Sequence, residues 1–268
     1  MKIIFSDLDG TLLDHDSYSF EPALDALGKV KEQGVPLVLC SSKTRPEMLL
    51  WQEKLGISGP FIAENGGGIY IPKGGALEIR EAFEEDGFWV VQAGMGRAQL
   101  RDAFLRVRTK LSVEMSSFSD MSVGEVMELT SLSEADAALA MERSFTEPFI
   151  ICDGDSNRRE EVLSAFADMG MTVVRGGRFY HLMGKCDKGI AVNKVIDMFL
   201  KTCADAVSSM GLGDSENDIA MLLAVDRPVL VKRPGGTWLD GPEVETFLKM
   251  EGVGPAGWNE AVLDFLAN

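Results

Sequence analysis

Short apolar runs alternate with amphipathic stretches over the first third of the chain. The runs at 2–6, 35–40 and 60–63 lack the polar alternation of a half-exposed strand, which is typical of strands buried on both faces. The stretches between them carry apolar residues at helical spacing, so we predict helices over 20–34 and 46–55. Strands that alternate with helices in this way predict an α/β fold with a parallel sheet.

The alternation of buried strands with helices weakens after the turn-like sequence at 72–75 and resumes near residue 187. Between these points we predict helices at 97–111, 133–142 and 157–169 and strands at 88–92, 149–152, 171–174 and 178–183. After them we predict helices at 187–201 and 258–267, a helix ending at Ala224, and strands at 206–213 and 228–231. The sequence therefore predicts a Rossmann-like parallel-sheet core at 1–82 and 185–268, interrupted by an inserted α+β cap domain at 83–184.

The composition is that of a globular protein with a sizeable core, because 46% of the 268 residues are hydrophobic and 25% are charged. The 26 basic and 42 acidic side chains give a net charge of −16, which would repel a nucleic-acid backbone and argues against such a partner. No apolar run approaches the roughly 18 residues of a membrane span. We therefore expect no membrane partner and a cytoplasmic location.

Carboxylates dominate the side chains that could hold a metal ion. The four cysteines are far apart and include no CxxC pair, and the chain has two histidines. This argues against a zinc site or a disulfide framework, and it predicts that the cysteines are small buried side chains. Such a chain would favour a hard cation such as Mg²⁺ if it binds a metal.

Two carboxylates follow the first predicted strand, in the sequence Asp7-Leu8-Asp9-Gly10-Thr11. Residues two positions apart in extended backbone face the same side, so Asp7 and Asp9 would face one site. Adjacent carboxylates repel each other unless a cation or a shared proton compensates. The pair therefore predicts a divalent metal site, with a solvated Asp-Gly turn as the simpler alternative.

A second acidic cluster, at 211–218, follows the strand predicted at 206–213 and can lie beside the first cluster in a parallel sheet. Asp214 is a candidate metal ligand, and Asn217 and Asp218 lie one turn further on, where they could orient the water shell of an ion or a phosphate. Helix capping is the alternative function of these residues. The cluster lacks the third glycine of GxGxxG, so we discount a dinucleotide-binding fold.

Two more polar residues lie next to predicted strands or helices of the core. Ser41 follows the second strand and offers a hydroxyl and a backbone N–H, and Lys188 opens the first helix after the insert and offers a cation. Together with a metal-bearing acidic cluster, these groups supply the hydrogen bonds and positive charge that phosphoryl transfer needs.

The order DxDGT, Ser41, Lys188 and GDxxND resembles that of the haloacid dehalogenase superfamily of phosphatases. The α+β insert after the third strand is similar to the type IIB cap of that superfamily. The resemblance implies a Mg²⁺-dependent hydrolysis in two steps.

In the first implied step, Asp7 would attack phosphorus and form an aspartyl-phosphate while Asp9 protonates the leaving oxygen. In the second, Asp9 would activate the water that releases phosphate. Ser41 and Lys188 would hold the phosphoryl oxygens. The implied metal ligands are Asp7, Asp9 through its main-chain carbonyl, Asp214, and Asp218 either directly or through water.

Four further stretches, at 41–47, 60–75, 140–149 and 176–191, resemble the mannosyl-3-phosphoglycerate phosphatase family. This implies that the substrate is a small phosphorylated glycosyl-glycerate, which carries a carboxylate as well as a phosphate. A second set of donors would then bind the groups remote from the metal. The candidates are Lys43, Thr44 and Arg45 beside the phosphate loop, Glu64, Asn65 and Gly66 for sugar hydroxyls, Arg143, Arg178 and His181 from the cap, and Asn217 near the phosphate.

Other protein classes place acids at strand ends too. A receiver module takes phosphate on an aspartate, but its paired acids are adjacent and its chain has no large insert. A phosphomutase on the same core would use the same nucleophile and pass the phosphate to a second position of a sugar. A broad-specificity sugar phosphatase is a further alternative.

Overall fold

The computed structural model describes residues 1–75, 77, 79, 81–152, 156–175, 178–202 and 206–268. The strands are β1 Lys2–Ser6, β2 Leu37–Cys40, β3 Phe61–Ala63, β4 Gly68–Pro72, β5 Phe83–Glu85, β6 Phe88–Gln92, β7 Met115–Ser117, β8 Thr146–Ile151, β9 Thr172–Arg175, β10 Tyr180–Met183, β11 Ser208–Gly213, β12 Arg227–Lys232 and β13 Leu248–Val253. The α-helices are α1 Leu24–Glu32, α2 Arg45–Leu55, α3 Arg97–Leu111, α4 Val123–Thr130, α5 Glu134–Met141, α6 Ser156–Asp168, α7 Lys188–Thr202, α8 Ile219–Leu223 and α9 Pro255–Ala267. None of the helices in these parts of the chain is both long and apolar enough to cross a bilayer.

Within the described residues, the larger sheet has nine strands in the order β13-β12-β11-β1-β2-β3-β4-β6-β5. The strands from β13 to β3 are parallel, and β4, β6 and β5 continue the sheet in antiparallel pairing. Helices cover both faces at its centre. Ile4 of β1 packs with α1 and α9, whereas Ile3 and Phe5 pack with α7 and α8. This two-sided burial explains why the first strands lack polar alternation, and the predicted Rossmann-like core is confirmed.

The insert forms a second, antiparallel sheet in the order β7-β8-β10-β9. Helices α3 and α6 cover one face, where Phe104 and Phe166 each pack against Phe149 of β8 with ring centroids 5.6 Å apart. The opposite face carries His181 of β10 beside Val174 of β9. Both residues line a cleft towards the larger sheet. The predicted α+β character of the insert is therefore confirmed.

The predicted boundary of the insert at residue 83 does not match the sheet. Strands β5 and β6 pair with each other, and β6 pairs with β4 from Gly68 opposite Gln92 to Pro72 opposite Phe88. The turn-like sequence at 72–75 indicated an exit from the core, but the chain returns to extend the same sheet. We propose that the cap runs from residue 93 to residue 184.

Several elements were missed or misjudged in the sequence. Helix α4 was not predicted, although Ser122 and Glu125 form a capping box at its start, a pattern visible in the sequence. Strand β13 was not predicted because it is an edge strand whose residues are mostly exposed or half-buried. Cys40 and Cys186 are buried as predicted, whereas Cys152 is exposed and Cys203 lies outside the described residues.

Candidate active site

The carboxyl ends of β11, β1, β2 and β3 meet at one edge of the larger sheet, because these strands are parallel neighbours. A cleft of about 550 Å³ opens there between the core and the cap. The residues that line it are Asp7, Asp9, His15, Ser42, Asn65, Val174, Arg175, His181, Asp214, Ser215, Glu216, Asn217 and Arg233. The parallel topology thus brings together acids that the sequence separates by about two hundred residues.

Asp7 follows β1 at the floor of the cleft. Its backbone N–H donates to the carbonyl of Leu212 at 3.0 Å, and its Oδ1 lies 2.7 Å from the Nζ of Lys188. Burial and the nearby Asp218 carboxylate raise the pKa of Asp7 well above its usual range, and Lys188 opposes them. Additional positive charge at this point would favour the ionised carboxylate that a nucleophile requires.

Lys188, the first residue of α7, lies fully buried between two carboxylates. Its Nζ is 2.7 Å from Oδ1 of Asp7 and 2.6 Å from Oδ1 of Asp218. Burial alone would lower the pKa of Lys188, but Asp218 and Asp7 outweigh it and raise the pKa. Gly66 permits this placement, because a Cβ there would collide with the carbonyl of Asp187 at the start of α7. Lys188 is thus held as a cation between Asp7 and Asp218.

Asp214 and Asp218 follow β11 and differ in what occupies their oxygens. Oδ2 of Asp218 accepts hydrogen bonds from the backbone N–H groups of Asp214 at 3.1 Å and Ser215 at 3.0 Å, and its Oδ1 pairs with Lys188. Among the described residues, the Asp214 carboxylate has looser contacts: a 3.4 Å hydrogen bond from the hydroxyl of Thr11 and an ion pair with Nε of Arg233 at 3.8 Å. Burial and the Asp218 carboxylate raise the pKa of Asp214 to about 6, and Arg233 opposes them. Asp214 is therefore the more available carboxylate of the two.

A metal ion could be held by Asp7, Asp214 and Asp218, since one oxygen from each lies within 4.8 Å of the others. All three carboxylates are buried, and Lys188 alone does not balance their charge. Buried oxygen donors with excess negative charge suit a hard divalent cation. The residues present therefore fit the predicted kind of metal site.

The Asp9 carboxylate lies apart from this cluster. Its Oδ2 pairs with the Nζ of Lys43 at 2.9 Å, and its Oδ1 is buried with no hydrogen-bond partner among the described residues. Burial alone would lower the pKa of Lys43, but the carboxylates of Asp9 and Glu47 raise it above its usual value. Lys43 therefore stays charged and orients Asp9 in the cleft.

Asn65 and Asn217, two of the predicted polar residues, line the cleft, whereas the predicted Ser41 is not among its lining residues. Ser41 is buried, its hydroxyl accepts a hydrogen bond from the N–H of Lys43 at 3.3 Å, and its carbonyl accepts one from the N–H of Asn65 at 2.9 Å. The side chain of Asn65 accepts from Nδ2 of Asn217 at 3.1 Å. The loops after β2, β3 and β11 thus brace one another around the cleft.

Thr44 and Arg45 were predicted to bind substrate, but the structure engages both side chains elsewhere. Thr44 caps α2 in a capping box with Glu47. Nη1 of Arg45 lies 2.9 Å from Oδ2 of Asp86 in the β5–β6 turn, and the guanidinium packs near the ring of Phe88. Neither residue lines the cleft. Helix capping and the β5–β6 hairpin determine their positions. The capping-box spacing of Thr44 and Glu47 was visible in the sequence, whereas the contact of Arg45 with Asp86 was not.

Glu64, Gly66 and Arg178 also differ from their predicted places. Both carboxylate oxygens of Glu64 accept hydrogen bonds from the cap, so the side chain is not presented to sugar hydroxyls. Gly66 supports the start of α7 rather than lining the cleft. Arg178 is exposed and donates to the carbonyl of Leu129 at the end of α4. These contacts join segments far apart in sequence, which local pattern does not reveal.

Arg143 and His181 lie close together on the cap side. Nη1 of Arg143 donates to the carbonyl of Ser42 at 3.2 Å and to the hydroxyl of Thr146 at 2.9 Å. His181 lines the cleft, and burial together with the charge of Arg143 lowers the pKa of His181 to about 3. Nδ1 of His181 is buried and has no partner among the described residues. His181 therefore offers the cleft a neutral ring.

Sequence reasoning missed two arginines of the cleft, Arg175 and Arg233. Nε of Arg233 donates to the main-chain carbonyl of Asp214 at 2.6 Å. Arg233 directly follows β12, so its position at the carboxyl end of a parallel strand was the signal that could have identified it. Arg175 ends β9, and no sequence signal distinguished it from the other arginines of the cap.

Known proteins are similar to this chain in sequence and in fold. The sequence profile of haloacid dehalogenase-like hydrolases matches residues 4–88. A glucosyl-3-phosphoglycerate/mannosyl-3-phosphoglycerate phosphatase of Methanococcoides burtonii is 38% identical over 266 residues, which cover 98% of this chain and 97% of that protein. A phosphatase of the same name from Persephonella marina is 41% identical over 263 residues, which cover 97% and 95%.

Among solved structures, a subclass IIB sugar phosphatase of the haloacid dehalogenase superfamily matches with a TM-score of 0.65 at 16% identity, covering 99% of both chains. At that identity the likeness concerns the fold, including the cap. The fold and the motifs define a haloacid dehalogenase hydrolase with a type IIB cap, a phosphoric monoester hydrolase. Within that superfamily the chain belongs to the family of glucosyl-3-phosphoglycerate/mannosyl-3-phosphoglycerate phosphatases.

Proposed function

We propose that this protein hydrolyses the phosphate monoester of glucosyl-3-phosphoglycerate or mannosyl-3-phosphoglycerate through an aspartyl-phosphate on Asp7. The observation that carries the reaction is the buried Asp7 carboxylate, bonded to Lys188 at 2.7 Å on the floor of a cleft that also contains Asp9 and Asp214. The substrate class is supported by two relatives whose likeness extends over core and cap alike.

In this mechanism the chain's own groups carry out both proton transfers. An oxygen of Asp7 attacks phosphorus, the bond from phosphorus to the glycerate oxygen breaks, and Asp9, in its protonated form, gives its proton to that leaving oxygen. Asp9 then takes a proton from the water that hydrolyses the aspartyl-phosphate. Lys188 and Ser41 bind phosphoryl oxygens, and Lys43 keeps the Asp9 carboxylate directed into the cleft.

Mg²⁺ suits the acidic cluster, and when bound it supplies positive charge against the phosphoryl group. We propose Asp7, Asp214 and the main-chain carbonyl of Asp9 as its protein ligands. Asp218 acts through water or by orienting the loop, because Lys188 and two backbone N–H groups already occupy its oxygens.

A comparison of phosphate release from five substrates tests the proposed function. The substrates are mannosyl-3-phosphoglycerate, glucosyl-3-phosphoglycerate, glucose 6-phosphate, mannose 1-phosphate and 3-phosphoglycerate. We expect kcat/KM to be at least about tenfold higher for the glycosyl phosphoglycerates, because they alone combine sugar, carboxylate and phosphate contacts. Similar values for all five would indicate a broad-specificity phosphatase. Isomerisation of a hexose phosphate without release of orthophosphate would indicate a phosphomutase.

Arg175→Ala is expected to weaken hydrolysis of the glycosyl phosphoglycerate selectively. Arg175 lines the cleft from the cap, and a guanidinium can bind both oxygens of the glycerate carboxylate. The loss of a charged hydrogen bond should lower kcat/KM by roughly 10- to 100-fold. Hydrolysis of p-nitrophenyl phosphate, which has no carboxylate, should barely change.

Arg178→Ala is the matched control for this prediction. It also removes a guanidinium near the β9–β10 connection, but this guanidinium donates to the carbonyl of Leu129 and does not line the cleft. It should change neither substrate's kcat/KM by more than about twofold. Equal losses in the two variants would assign the effect to the connection itself and contradict carboxylate recognition by Arg175.

A further inference from the structure

One carboxylate of the core holds the beginning of a cap strand. Oε1 of Glu64 accepts a hydrogen bond from the N–H of Ser144 at 2.8 Å. Its Oε2 accepts from the N–H of Phe145 at 3.1 Å and from the hydroxyl of Thr146 at 2.6 Å. All three donors belong to the segment that leads into β8. A single core side chain therefore accepts three bonds from the cap.

The position of Glu64 is costly unless these bonds form. Its side chain is buried, and its φ of 52° lies in the left-handed region that residues other than glycine rarely adopt. A buried carboxylate is tolerated when hydrogen-bond donors surround it. Since the cap supplies these donors, the core loop and the cap segment stabilise each other.

The loop after β2 also forms hydrogen bonds to this part of the cap. The carbonyl of Ser42 accepts from Arg143 at 3.2 Å, and the hydroxyl of Thr44 lies 2.9 Å from the carbonyl of Leu139. The two core loops are also joined, because the N–H of Glu64 donates to the carbonyl of Lys43 at 2.9 Å. The loops that carry the phosphate-binding groups therefore also hold the cap.

Packing adds to the hydrogen bonds at this junction. The side chain of Phe145 packs against the backbone of Gly67. Any residue with a Cβ at position 67 would collide with Phe145. Strand β8 then pairs with β10, with Thr146 opposite Met183 and Pro148 opposite His181. The location of 144–146 thus sets the location of the strand that carries His181 above the cleft.

We propose that Glu64 is a positioning residue that ties the cap to the loop after β3, and so keeps the cap strands with His181 and Arg175 in register with Asp7. This inference rests on the proposed function. Glu64 does not contact the substrate and acts through the backbone of 144–146. Its loss should therefore impair a substrate that reaches the cap and spare a small aryl phosphate.

Glu64→Gln tests the proposal, because glutamine keeps the size but presents an NH₂ group to donors that need an acceptor. We expect kcat/KM for the glycosyl phosphoglycerate to fall by about 100-fold, the effect of a misplacement near 1 Å, with p-nitrophenyl phosphate changed by less than about threefold. Hydrogen exchange of the amides at 144–146 should speed up at least about tenfold, with exchange at 2–13 unchanged.

Glu125→Gln is the matched control. Glu125 also accepts from a backbone N–H and a hydroxyl, both of Ser122, but these bonds stay within the cap. It should alter neither the substrate preference nor exchange at 144–146. Thr146→Val removes one of the three donors to Glu64. It should lower kcat/KM for the glycosyl phosphoglycerate less than Glu64→Gln does, and it should likewise spare p-nitrophenyl phosphate. Combined with Glu64→Gln it should cause little further loss, because both changes break the same contact.

Equal losses on both substrates, or unchanged exchange at 144–146 in Glu64→Gln, would overturn the positioning role. Wild-type protein that fails to release phosphate from either glycosyl phosphoglycerate would contradict the proposed function instead. The exchange measurement distinguishes the two cases, because it reports attachment of the cap without any turnover.

Discussion

Asp7→Asn is expected to lower phosphate release by at least about 10³-fold while the protein stays folded. Asparagine keeps the shape of the side chain but lacks the charged oxygen that would attack phosphorus. Lys188 retains its contact with Asp218 at 2.6 Å, so the substitution leaves no unpaired buried cation. Steady-state phosphate release and thermal unfolding of the same sample measure the two effects.

Asp25→Asn, which makes the same change on the exposed face of α1, is the control for Asp7→Asn and should leave turnover at the wild-type rate. An Asp7→Asn protein that keeps more than roughly a tenth of wild-type turnover could not have lost its nucleophile. That result would contradict the aspartyl-phosphate mechanism.

Removal of divalent metal with EDTA is expected to abolish hydrolysis, and Mg²⁺ should restore it. Asp7, Asp214 and Asp218 concentrate more negative charge than Lys188 balances, so a cation is needed before a phosphate can approach. Ca²⁺ should bind the same oxygens but fail to restore activity, because its larger and looser coordination shell misplaces the attacking group.

Thermal unfolding gives an independent measurement of the metal. Ligand that binds the folded state raises Tm, by about 2–4 °C for each kcal/mol in a chain of this size. Mg²⁺ should therefore raise Tm of the wild type, and Asp214→Asn should lose this rise, whereas Asp226→Asn after α8 should keep it. Full hydrolysis in metal-free buffer, or an unchanged Tm shift in Asp214→Asn, would contradict the metal site.

The acidic residues at the strand ends could be predicted from the sequence, because their placement depends only on the strand that precedes each of them. A buried parallel strand is a continuous apolar run, and the residue after it is placed at the sheet edge by the strand alone. Asp7 and Asp214 therefore could be assigned to one site before their distance was known, once the strands around them were predicted to be parallel.

The partners of individual side chains could not be predicted from the sequence, because they depend on contacts between segments far apart in the chain. Glu64 and Asn65 are adjacent in a polar loop, yet Asn65 lines the cleft and Glu64 binds the cap. Arg175 and Arg178 are similarly close in sequence, and only the first lines the cleft. Nothing in their local pattern distinguishes these neighbours.

The sequence by itself determined the fold class, the insertion of a cap into the core, and the set of acids around Lys188, since periodicity and strand-end position specify them. The tertiary structure decided that β5 and β6 join the larger sheet, how the cap is attached to the core loops, and which cationic groups line the cleft. Those features are set by β6 pairing with β4 and by hydrogen bonds between the core loops and 139–146. Such contacts join segments far apart in the chain. A side chain turns towards one partner or another only when both segments pack together in the folded protein.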